Sequence, residues 1–94
     1  MAYRHIVLFR IHDGVDEQQL ADAIDALRGF ARFPGVESWV ITMSLDERKG
    51  RILLEDASLV GREGFDAFRL DPAHVRAARL MSEIADWWIG DYEE

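Results

Sequence analysis

Few side chains of this 94-residue chain can move a proton near neutral pH: His5, His12 and His74, with no cysteine beside them. Imidazole changes charge between about pH 5 and 8, so a histidine held among apolar residues makes a ready general acid or base. His74 follows Asp71, Pro72 and Ala73, and an aspartate cap with proline at the first helical position starts a helix there. His74 then falls in the first turn, where backbone N–H groups lack partners and the positive end of the helix disfavours imidazolium. A neutral ring in that place is a general base, or it supports the cap and fills the cleft between helix and sheet. His5 shares one row of an apolar segment with Val7 and Phe9. It is either a second polar group of the same site or a hydrogen-bonded core residue. His12 would face the other side of a regular strand from His5 and reads as a solvated loop residue.

Other chemistries lack their signatures. The histidines show neither His-x-His nor His-Glu-x-x-His spacing, and no glycine-rich phosphate loop or Gly-x-Ser-x-Gly elbow is present. No metal and no cofactor are expected. Glu55 and Asp56 interrupt a strand after Ile52-Leu53-Leu54, so one of them points into an apolar face. There a carboxylate orients His5 or His74, or it closes a salt bridge with an arginine such as Arg10. Trp39, Phe65, Phe68, Trp87 and Trp88 offer flat apolar surfaces, as the lining of a pocket for an aromatic small molecule or as core and interface.

The elements that must position these residues follow from periodicity. Arg4–Ile11 reads as a strand closed by the Asp13-Gly14 turn pair. Asp16 and Gln19 form a capping-box pair ahead of a helix over Glu17–Arg32, which Pro34-Gly35 ends. Val36–Ser44 and Arg51–Ser58 read as strands of one hairpin around a polar turn. A short helix is expected over Arg62–Leu70, weakened by Gly61 and Gly64, and a firmer one from Asp71-Pro72 to Ile84. Trp87–Tyr92 is the closing strand. The β-α-β-β-α-β order, with its second helix broken in two, is the ferredoxin-like α+β arrangement in a single domain.

The strands are apolar on both sides: Ile6 and Leu8 oppose the His5 row, Val40 opposes Trp39, and Trp88 opposes Trp87. An antiparallel sheet with one wet face alternates apolar and polar residues, and the available helices cover one face only. A second copy of the sheet is the simplest cover for the other, which predicts a homodimer. Eighteen acidic against eleven basic residues give a net charge of -7, which repels nucleic acid and anionic lipid. The longest apolar run, Ile6 to Phe9, is far short of the ~20 residues that span a bilayer, so no membrane partner and a cytoplasmic location are expected.

Four segments, in order, carry a resemblance to a known family: Arg4-His5-Ile6-Val7-Leu8-Phe9-Arg10, Phe33-Pro34-Gly35-Val36, Asp71-Pro72-Ala73-His74-Val75 and Gly90-Asp91-Tyr92. Together they resemble the stress-responsive dimeric α/β-barrel (Dabb) family over nearly the whole chain, olivetolic acid cyclase-type members included. The resemblance implies a ferredoxin-like protomer whose sheet closes on a partner's into a barrel, and it favours the barrel interior for the His5 row. It also implies a cofactor-free lyase or cyclase step on a β-keto or polyketide-like substrate, with His74 in the position of the general base. His5 matches a pocket histidine of the first strand. Phe68 stands where such members carry a tyrosine, and Asp71 where they carry the first histidine of the segment. The expected ligand site comprises His74 and His5 with Phe68, Trp39, Trp87 and Glu55. The alternative is a non-catalytic dimeric stress-response module.

Overall fold

A computed structural model describes residues 1–94. Its elements run β1 (Ala2–Ile11), α1 (Glu17–Arg28), a 3-10 turn (Gly29–Arg32), β2 (Val36–Met43), β3 (Ile52–Val60), α2 (Gly61–Leu70), α3 (Pro72–Ile84), β4 (Ala85–Ile89) and β5 (Tyr92–Glu93). The antiparallel sheet has the order β2-β3-β1-β4, with β5 also on β1. β1 is therefore the strand that pairs with β3, β4 and β5.

Local chemistry explains most boundaries. The Asp16 carboxylate accepts the Gln19 backbone N–H at 2.8 Å while the Gln19 side chain accepts the Asp16 N–H, so the capping box that starts α1 is complete. The expected single helix to Arg32 instead tightens into the 3-10 turn at Gly29, whose N–H is shared between the Asp25 and Leu27 carbonyls. α2 is a full ten-residue helix in spite of its glycines. Gly61 adopts a positive φ of 62° at the junction with β3, a conformation few other residues take without strain. Gly64 lies against Gly35 at the entry to β2.

β1 and β3 are both longer than periodicity suggests, because Ala2 pairs with Val60 and Tyr3 with Leu59. The closing strand differs more. β4 starts at Ala85, opposite Ile11, and stops at Ile89. Gly90 still donates its N–H to the Ile6 carbonyl at 2.9 Å, but the Ile6 N–H turns to the Asp91 carboxylate at 3.2 Å. The backbone resumes pairing only at Tyr92.

All three helices lie on one face of the sheet. The buried row of β1 is Tyr3, His5, Val7, Phe9 and Ile11, and that of β3 is Leu53, Glu55, Ala57 and Leu59. The His5 row thus meets the helices, not a barrel interior as the resemblance favours. His5 contacts Phe65 and Phe68 of α2, with ring centroids 4.9 and 6.1 Å away. The opposite face leaves Leu8, Val40 and Trp88 exposed, the last at 61%.

Candidate functional site

Between β1, β3 and β4 below and α1 and α3 above lies a cavity of about 180 Å³. Its polar side chains are His5, Glu55 and His74, and its walls include Val7, Phe9, Met81 and Trp87. The volume falls below the ~300–1,000 Å³ of common ligand clefts, which suits a single-ring compound. A larger hollow of about 220 Å³ between α1 and α3 is almost wholly apolar, with Asp22 and Glu83 exposed at its rim. The groups able to transfer protons between buried surfaces therefore belong to the smaller cavity.

Strand register brings His5 and Glu55 together. His5 is opposite Ala57 and Val7 is opposite Glu55, so the two side chains are diagonal neighbours on one face. His5 Nε2 lies 3.1 Å from Glu55 Oε2, and Nδ1 lies 2.9 Å from Asp91 Oδ1. His5 is 4% exposed and Glu55 3%. Burial alone favours the neutral ring. The hydrogen bond and charge of Glu55, followed by those of Asp91, outweigh it and hold the His5 pKa above the ordinary histidine value. A carboxylate beside each nitrogen favours the imidazolium, with Nδ1 hydrogen-bonded to Asp91 and Nε2 in ion-pair contact with Glu55.

Asp91 is itself anchored. Tyr3 donates its hydroxyl to Asp91 Oδ2 at 2.8 Å, and burial followed by this bond raises the Tyr3 pKa. The Tyr3 ring stacks on Phe65 at 4.3 Å. The chain Glu55–His5–Asp91–Tyr3 thus runs from the cavity to the N-terminal end of β1, and no buried side-chain polar atom is left without a partner.

His74 is the opposite kind of histidine. Its Nδ1 lies 3.2 Å from the Arg69 carbonyl oxygen, which only accepts, so Nδ1 carries the proton and Nε2 is the basic atom. Burial is the main cause of a pKa below the ordinary value. The Arg69 carbonyl and the Glu55 charge oppose that shift, and the His5 charge adds to it. The helix start expected at Asp71 is present, with Asp71 accepting the Ala73 N–H at 2.8 Å and proline next in line. The Phe68 ring covers the imidazole with 4.3 Å between centroids, and burial moves the pKa in the direction expected from the helix end.

Of the residues expected at the ligand site, His74, His5, Trp87 and Glu55 line the cavity. Phe68 and Trp39 do not. Phe68 is fully buried between Trp39, Phe30 and Phe33, with ring centroids 5.5 to 5.7 Å away. Trp39 donates its indole N–H to the Leu27 carbonyl at 2.9 Å and packs, half-buried, against the core. Asp56 is on the other face, paired with Arg4. Arg10 bonds the Lys49 carbonyl and does not reach Glu55. His12 pairs with Asp86 at the surface. Asp91 and Tyr3 join the site without having been singled out. Their signal in the sequence is an acidic residue next to a glycine in the closing strand and a tyrosine near the start of the first. No group of three His, Asp or Glu side chains is arranged to hold a metal ion.

The architecture is that of the ferredoxin-like α+β proteins. The chain belongs to the stress responsive A/B barrel domain (Dabb) family, which it matches over residues 3–94. It is 30% identical over 96 residues to an uncharacterized protein of Streptomyces coelicolor, covering 96% of this chain and 97% of that one. A dimeric ferredoxin-like protein of unknown function from Thermobifida fusca superposes with a TM-score of 0.88 at 27% identity, covering 100% of this chain and 92% of the other. A hydroxynitrile lyase from Passiflora edulis superposes with a TM-score of 0.82 at 18% identity, covering 97% and 91% of the two chains, a likeness of fold.

Proposed function

We propose that this protein binds a small apolar or aromatic carbonyl compound in the cavity beneath α3 and performs a cofactor-free lyase or cyclase step, with His74 as the general base. The observation that carries the reading is the pairing of unlike histidines in one apolar cavity. Burial lowers the pKa of His74, whose Nε2 is free, while His5 lies between two carboxylates that raise its own. Environments that push two titratable groups apart separate a base from an acid. A neutral imidazole at an apolar cavity can take a proton from a carbon next to a carbonyl, the step that begins both aldol closure and its reverse. The hydroxynitrile lyase of the same fold and the cyclase-type resemblance of the His74 segment support this class of chemistry. Phe68 contributes no hydroxyl to it, so any proton donor must come from elsewhere in the cavity.

The active form is a homodimer joined through the open sheet face. Exposed Leu8, Val40 and Trp88 support this, as does the dimeric description of the Thermobifida neighbour.

Deuterium exchange into the methyl group of acetophenone, followed by proton NMR in heavy water, tests the base. The unmodified protein is expected to accelerate exchange over buffer, and His74→Ala is expected to lose about a hundredfold or more of that acceleration. Exchange by His74→Ala at the unmodified rate, or none by the unmodified protein, would overturn the reading.

A further inference from the structure

The cavity holds a second ionisable group with no role in proton abstraction by His74. Glu55 is 3% exposed, lines the cavity with His74, and has His5 Nε2 behind it at 3.1 Å. We infer that Glu55, supplied by His5, is the proton donor of this site, and that the ligand class is therefore a carbonyl compound whose oxygen gains a proton as the adjoining carbon loses one. This rests on His74 as the base.

The proton inventory balances. His74 Nε2 takes the proton from carbon, and the C–H electron pair becomes the new C=C bond. The carbonyl π pair moves onto oxygen. His5 passes its Nε2 proton to Glu55, and the Glu55 carboxyl passes a proton to that oxygen. Glu55 ends as a carboxylate, His74 as an imidazolium, and His5 as a neutral ring whose remaining proton stays on Nδ1 facing Asp91. Reversal restores every group. In C–C bond formation the same donor protonates the oxygen of the carbonyl under attack.

Asp91 is the positioning residue. It holds one His5 proton at Nδ1, so the other must sit on Nε2 toward Glu55. Its own orientation is set by the Ile6 N–H and the Tyr3 hydroxyl. The groups facing His5 are Glu55 from β3, Asp91 after β4 and His74 from α3, while α2 presents only the rings of Phe65 and Phe68. Arg62 of α2 lies over the Tyr3 ring, 5.6 Å from its centroid. His74 is faced by Glu55, His5 and its own cap, Asp71.

The test is the pH profile of acetophenone exchange for the unmodified protein, Glu55→Gln and Asp91→Asn. The unmodified profile is expected to be bell-shaped, rising as His74 loses its proton and falling as His5 does. Glu55→Gln keeps a hydrogen bond to His5 but cannot pass a proton, and the rate at the optimum is expected to fall at least tenfold. Asp91→Asn is expected to move the alkaline limb to lower pH while keeping the acid limb in place. A Glu55→Gln rate within twofold of the unmodified protein, or an alkaline limb unmoved in Asp91→Asn, would overturn the donor assignment. If His74→Ala abolishes exchange in the same series, the base assignment survives that failure. Should His74→Ala exchange normally, both fall.

Discussion

His5 Nε2 lies 3.1 Å from the Glu55 carboxylate, and both side chains are almost entirely withdrawn from water. Two neighbouring strands each place one polar residue in an otherwise apolar row, and the antiparallel register makes those two residues diagonal partners. Burying either alone would cost several kcal/mol, and removing one member leaves the other as an uncompensated charge. The pair is thus a fixed structural feature, and the cavity is built around it.

Stability should depend on pH with opposite signs on the two sides of about pH 6.5, the ordinary histidine value. The His5 pKa is raised in the fold, so its stabilisation is complete below that value and is lost as pH rises through the folded pKa. The His74 pKa is lowered, so its burial begins to cost stability as pH falls below 6.5 toward the folded pKa. Urea unfolding across the range is expected to show stability declining on both sides, and Glu55→Gln is expected to flatten the alkaline decline.

Phe68→Ala is expected to destabilise the protein by about 3–5 kcal/mol, because a fully buried phenyl ring is removed from the centre of an aromatic cluster. Out of a typical total of ~5–15 kcal/mol, that is a large share. Denaturant midpoints measure it. A cost near zero would place Phe68 in an open pocket, not in the core.

Trp88→Asp is expected to give a monomer near 10.8 kDa where the unmodified chain has twice that mass in native mass spectrometry. Trp88 pairs with Leu8 on the uncovered face of the sheet, 61% exposed in the single chain. An aspartate there would be buried without a partner in the dimer.

Much of the fold was legible in the residues. The capping box at Asp16, the Asp71-Pro72 start and the two-sided strands each rest on local chemistry that tertiary packing leaves in place. The extent of α2 was less legible, since Gly61 and Gly64 lower helix propensity yet serve the strand junction and the contact with Gly35. Most of the candidate site was readable for a related reason. His5 and Glu55 stand out as polar residues within apolar rows, and His74 is marked by its cap. Asp91 was hidden because its role depends on a break between β4 and β5, and such breaks arise from pairing with a distant strand. Phe68 and Trp39 illustrate the converse, since an aromatic residue at a pocket position and one in the core look alike in sequence.

Long-range nitrogen–proton correlation spectra of the three imidazoles at pH 7 test the unlike histidines most directly, and they require no ligand. His74 is predicted to be neutral with its proton on Nδ1, and His5 to be protonated on both nitrogens. A protonated His74, or a neutral His5, would contradict the division of base and acid on which the proposed chemistry stands.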